Sequence, residues 1–159
     1  LVAGLAGDGR EQVMRAALQT GDDALLDGLV DGWATEVRDD PSLLGEIGTY
    51  HLRTGDREAA LATYGELFTR AEQGQLGWLP GVPAELIESE PDYVRREMDR
   101  LRLSAGTQDE LWGDVADTYW ALGLRDDARA CWERALEIDP TDSEWIGNLR
   151  ALRAGRDPR

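Results

Sequence analysis

Apolar residues recur along this chain at helical spacing, and the pattern repeats every 34 positions. In the clearest stretch, Trp112, Val115, Ala116 and Tyr119 fall on one face of a helix, and Ala128, Trp132 and Ala135 on one face of the next. Gly123 stands between them, and Pro140 closes the second helix. The same spacing places Leu44, Ile47, Gly48 and His51 before Gly55, with Ala60, Tyr64 and Leu67 after it. It also places Val13, Met14 and Ala17 before Gly21, and Leu26, Val30 and Trp33 after it. Gly21 and Gly55 are 34 residues apart and Gly123 follows 68 later, with Ser89 in the skipped position. Each glycine predicts a left-handed turn between two helices, and Asp22 and Asp56 predict caps on the second helix. Asp40-Pro41 reads as the end of the first stretch, as Asp139-Pro140 ends the fourth.

One stretch departs from the pattern. Pro80, Gly81 and Pro83 fall where a first helix would run, and an interior proline costs a helix about 3 kcal/mol. The expectation is a loop over 74–82, a short helix from Pro83, and a further helix opened by Pro91, with Val94, Met98 and Leu101 in core register. Residues 143–154 carry Trp145, Ile146, Leu149 and Leu152 and predict a last helix that caps the array.

The segment from Trp112 to Pro140 resembles the tetratricopeptide repeat (TPR), with Val115, Ala116 and Trp132 where that family favours Leu, Gly and Phe. The second stretch resembles it as well, and the others more loosely. The resemblance implies an all-α solenoid of helical hairpins without β-sheet. It implies one superhelical domain over 1–159, with repeat slots 7–40, 41–74, a degenerate 75–108, and 109–142, and a capping helix at 143–155. It also implies a concave groove lined by the second, fifth, ninth, twelfth and thirteenth positions of each repeat. In the second slot these are Ser42, Gly45, Thr49, Leu52 and Arg53; in the fourth they are Glu110, Gly113, Asp117, Trp120 and Ala121. Position twelve reads Leu18, Leu52, Leu86 and Trp120, an apolar stripe expected along the groove. Trp78 has two readings: a packed counterpart of Trp112, or an exposed aromatic anchor on the proline-broken loop. Some family members hold a terminal carboxylate with a Lys, Asn and Arg clamp. Gly113 and Asp117 stand at two of those positions and the chain has no Lys, so that specialisation is not expected.

Composition narrows the function. The 159 residues carry 17 basic and 32 acidic side chains, a net charge of −15, and every basic residue is Arg. Such a surface repels phosphate backbones and attracts basic partners, so no nucleic-acid binding is expected. The absence of Lys fits a GC-rich bacterial genome. No apolar run approaches the ~20 residues of a membrane span, and residues 1–7 do not read as a signal peptide. The chain does not open on Met, so a fragment or trimmed product is expected; the cytoplasm is the default compartment.

Chemistry is sparse. A phosphate-binding loop needs Lys; a two-histidine zinc helix needs more than His51; a cysteine cluster needs more than Cys131. Gly7-Asp8-Gly9 reads as a helix start, His51 as a packing residue in a position that often holds Tyr, and Cys131 as buried. The pairs Asp22-Asp23, Asp39-Asp40 and Asp126-Asp127 fall at turns and helix starts, where carboxylates cap free amides. No catalytic, cofactor or metal site is expected. The expected function is a non-catalytic scaffold for a protein or peptide with basic and apolar features. The alternative is self-association through the solenoid ends, or a regulatory role within a larger protein.

Overall fold

The computed structural model describes residues 7–33 and 40–158; the side chains of 7, 8, 10, 11, 23 and 31–33, Trp33 among them, lie outside the described set. The protein is all-α, and among the described residues there is no strand. It forms two compact units, residues 1–67 and 68–159.

The first unit contains α1 (Gly7–Thr20), α2 (Asp23–Trp33), α3 (Pro41–Thr54) and the start of α4 (Arg57–Glu72). Gly21 and Gly55 turn the chain with φ of 67° and 84°, a region open to glycine for want of a Cβ. Asp22 and Asp56 then accept from the amides of Leu25 and Ala59, each at 3.1 Å, as caps should. Asp40 and Pro41 act otherwise than the sequence suggested. Asp40 accepts from the Ser42 and Leu43 amides and Pro41 occupies the first turn, so together they open α3. The core joins Met14, Ala17, Leu26, Leu29, Val30, Leu43, Ile47 and Tyr50. Gly48 is there because a Cβ would meet the Tyr64 ring at 2.6 Å. Tyr64 in turn donates its hydroxyl to the Gly45 carbonyl at 2.9 Å.

In the second unit, α4 is followed by an irregular segment, then α5 (Ala84–Ser89), α6 (Pro91–Ser104), α7 (Asp109–Ala121), α8 (Arg125–Ile138) and α9 (Ser143–Arg153). The proline-broken stretch is a loop, α5 starts beside Pro83, and Pro91 opens α6, all as the prolines predict. The loop still contributes to the core through Leu76 and Leu79. Helices α7 and α8 form the most regular hairpin: Gly123 has φ 76°, and the Leu124 amide returns to the Tyr119 carbonyl at 2.9 Å. Val115, Ala116, Tyr119, Ala128, Trp132 and Ala135 are all buried in it. Asp142 caps α9 by accepting from the Glu144 and Trp145 amides. The α9 helix sets Trp145 against α7 at Gly113, where a Cβ would overlap the indole.

Gly113 and Gly147 occupy equivalent repeat positions, and nothing stands within 4 Å of a Cβ built on Gly147. The same substitution is therefore expected to have opposite signs. Gly113→Ala should lose about 1–3 kcal/mol by overpacking. Gly147→Ala should gain up to about 1 kcal/mol from helix propensity. Urea unfolding of the two variants measures both.

Candidate functional site

One stripe of α7 is acidic. Glu110, Asp114, Asp117 and Ala121 follow one another at four-, three- and four-residue steps, so they share one helical face. The 79–82 loop faces the lower part of this stripe, because without a first helix the third slot leaves only loop there. The Leu79 amide donates to Asp114 Oδ2 at 2.6 Å and ties the loop to the helix. A pocket of about 150 Å³ opens between them, lined by Leu79, Pro80, Val82 and Ile87 on the loop side and by Asp114, Asp117, Thr118 and Ala121 on the helix.

The pocket perturbs both of its carboxyls. Burial pushes the Asp114 carboxyl up to about 7; the Leu79 amide opposes this, while Asp117, Glu110 and Glu144 add to it. Asp117 rises to about 6 for the same first reason, against the stabilising Trp132 indole N–H, which donates to Asp117 Oδ1 at 2.8 Å. Much of the Asp117 residue is solvent-exposed, yet its carboxylate is drawn in against Trp132 and loses water there. Trp120 is half-buried, its ring 6.1 Å from that of Trp132 and covered by the Arg125 guanidinium at 5.0 Å.

The expected groove residues divide as follows. In the second unit Asp117 and Ala121 line the pocket, Glu110 is exposed one turn above, and Trp120 is half-buried with its ring near Trp132. Leu86 is a correction. It is wholly buried, because α5 is short and turns this side chain into the core, so the apolar stripe at position twelve is interrupted. Gly113, expected on the groove surface, is covered by Trp145. Trp78 sits on the loop and is 36% exposed. In the first unit Thr49 and Arg53 line a shallow hollow with Leu18, Gln19 and Glu46, and Leu52 is half-buried. Gly45 is buried there, its carbonyl taken by Tyr64. Sequence reasoning missed Asp114. Its signal was an acid set between Leu111, Val115 and Thr118, close to the buried face of α7.

Cys131 is 1% exposed, and burial pushes its thiol up to about 11, which leaves it unreactive near neutrality. His51 is half-buried, its ring 5.4 Å from Tyr50. Among the described residues no three His, Cys, Asp or Glu side chains gather as metal ligands, and no helix is long and apolar enough to cross a membrane.

Helical hairpins with this turn and packing pattern give the chain an all-α, tetratricopeptide-like helical-repeat fold. Residues 109–142, the α7–α8 hairpin, match the tetratricopeptide repeat family. The chain is 29% identical over 70 residues to Superkiller complex protein 3 of Mus musculus, covering 42% of this chain. It is 33% identical over 64 residues to Tetratricopeptide repeat protein 37 of Xenopus laevis, covering 40% of this chain. In both cases the matched segment spans only 4% of the relative's length. No solved structure matches the chain.

The raised carboxyls fix the sign of one pH dependence. A carboxyl that is harder to ionise in the folded than in the unfolded chain destabilises the fold once the unfolded form has lost its proton. Stability contributed through Asp114 and Asp117 should therefore decline between pH ~4 and ~7. Asp114→Asn keeps an oxygen for the Leu79 amide and removes the charge. It should stabilise the protein by about 1 kcal/mol or more at pH ~8 and leave it unchanged near pH ~4, read by thermal unfolding across that range.

Proposed function

We propose that the protein is a non-catalytic protein-binding module, and that the acidic face of α7, in the expected concave groove, holds its partner together with the adjoining 79–82 loop. The observation that carries this reading is an uncompensated acidic face beside an open, largely apolar pocket. Glu110, Asp114, Asp117 and Glu144 make no ion pair with any described residue, while Arg100, Arg102, Arg129 and Arg134 are paired elsewhere on the unit. A face that concentrates charge of one sign favours a partner of the opposite sign and speeds its encounter. Trp120 on α7 and Trp78 on the loop are partly exposed aromatics. In the first unit, Thr49, Leu52 and Arg53 are the corresponding candidates for contact with a protein or peptide.

A second reading is self-association through α9. It is favoured by an open hollow of about 730 Å³ beside that helix, lined by Ser143, Glu144, Gly147, Asn148, Ala151 and Arg156. Sedimentation over a wide concentration range decides it: a strict monomer removes this reading.

The leading proposal is tested by affinity capture from a source lysate with wild type and an Asp117→Arg, Trp120→Ala double variant. The expected result is a protein retained by wild type and reduced at least about tenfold on the variant, the effect of losing one or two central contacts. Equal capture by both moves the interface off α7.

A further inference from the structure

The pocket between the 79–82 loop and α7 has walls and acceptors suited to one kind of side chain. Asp114 uses Oδ2 on the Leu79 amide and Asp117 uses Oδ1 on the Trp132 indole. Each keeps one oxygen without a partner among the described residues. The two carboxylates stand one helical turn apart on α7, with Ala121 below them, where the absence of a long side chain leaves the mouth open. Most of the remaining wall is hydrocarbon, from Leu79, Pro80, Val82 and Ile87; Gly81 and Thr118, whose hydroxyl donates to the Asp114 carbonyl, complete it. The charged groups that bear on the site are Glu110, from α7 itself, and Glu144, from α9, both acidic. No described cation reaches it.

We propose that this pocket receives the arginine side chain of a partner peptide, with the guanidinium bridging the free oxygens of Asp114 and Asp117. The inference rests on the α7 reading above and names what that face recognises. Arginine fits better than lysine for three reasons. Its fork presents several donors in one plane and can engage two carboxylates at once. Its guanidinium is weakly hydrated and lies flat on apolar walls, whereas an ammonium would surrender a tight water shell to enter them. Its charge also persists where a buried lysine would lose its proton. Both acceptors are oriented before binding, Asp114 by the loop amide and Asp117 by the indole, so little ordering is left to do on association. The loop is part of the recognition: a regular first helix in the third slot would not present the Leu79 amide in this way.

The test is an amide NMR titration of the full chain with acetylated, amidated Gly-Leu-Arg-Leu-Gly, and with its lysine and citrulline counterparts. At pH ~7.5 the arginine peptide should shift the amides of Leu79, Gly81, Val82 and Asp117. It should bind at least about fivefold more tightly than the lysine peptide, and the neutral citrulline peptide should not bind. Asp114→Asn with Asp117→Asn should weaken the arginine peptide about tenfold or more while circular dichroism shows the helices intact. Lowering the pH to ~5 should weaken it by a similar factor, since cation binding needs both carboxyls ionised. Shifts confined to other surfaces, equal binding of the lysine peptide, or indifference to the double Asn variant would each overturn the inference. If the peptide fails yet Asp117→Arg, Trp120→Ala still loses the captured partner, the α7 reading stands and the arginine assignment falls. If capture is also unchanged, both fall.

Discussion

The hydrogen bond from the Leu79 amide to Asp114 is the constraint on which the second unit's distinctive features depend. The third slot lacks a first helix, so α7 would otherwise present one flank without a helical neighbour. A loop can cover that flank only if its backbone polar groups find partners, since an unpaired buried amide costs about as much as a lost hydrogen bond. Asp114 supplies one such partner. Once it does, Leu79 and Leu76 are drawn into the core, Trp78 is left at the surface, and Pro80 and Val82 become the wall of a pocket. Burial beneath the loop is why the Asp114 carboxyl is hard to ionise, and the Leu79 amide offsets part of that cost.

Close approach of helices does the complementary work in the regular parts. At Gly48 the Tyr64 ring occupies the space of a missing side chain, and at Gly113 the Trp145 indole does. A glycine in a helix interior costs up to about 1 kcal/mol in propensity, and here the cost is offset by the burial of a large ring against bare backbone. The Tyr64 ring is also placed by polar anchors, the Gly45 carbonyl and Thr49, while Asp142 caps α9 at the Trp145 backbone amide. The two cases stand at different repeat positions: Gly48 lies in the packing register of the second slot, whereas Gly113 was expected on the groove surface and its close approach to Trp145 was not legible.

That difference explains what was legible in the sequence. Periodic features depend on local rules: left-handed glycines at Gly21, Gly55 and Gly123, caps at Asp22 and Asp56, and prolines that forbid one helix and open another. Each rule acts within a few residues, and each held. The proposed binding face was only partly legible because it depends on where the pattern fails. Repeat register placed Leu86 on a groove surface, but register presumes a full-length first helix. The six-residue α5 does not supply one and buries Leu86 instead. Asp114 carried only the faint signal of an acid beside the buried face of α7, for the converse reason. Its position in the repeat carries no strong preference, and its role comes from a loop 35 residues earlier in the chain. The break at Pro80 and Pro83 was visible; what the break would build was not.

The electrostatics of the α7 face argue that it is kept for something other than stability. Two carboxyls there ionise only against burial, and Glu110 and Glu144 raise the cost for Asp114. Elsewhere on the same unit some acids are matched: Glu97 and Glu72 with Arg100, and Asp127 with Arg102. A chain able to pair charge on α6 could pair it on α7 with a single arginine at Ala121, one turn below Asp117 on the same stripe. It carries alanine instead, which leaves the carboxylates unmatched and the pocket mouth open. A surface that pays in stability for unmatched, preoriented charge gains that energy back only when an opposite charge arrives from outside, and strain of this kind concentrates at functional sites.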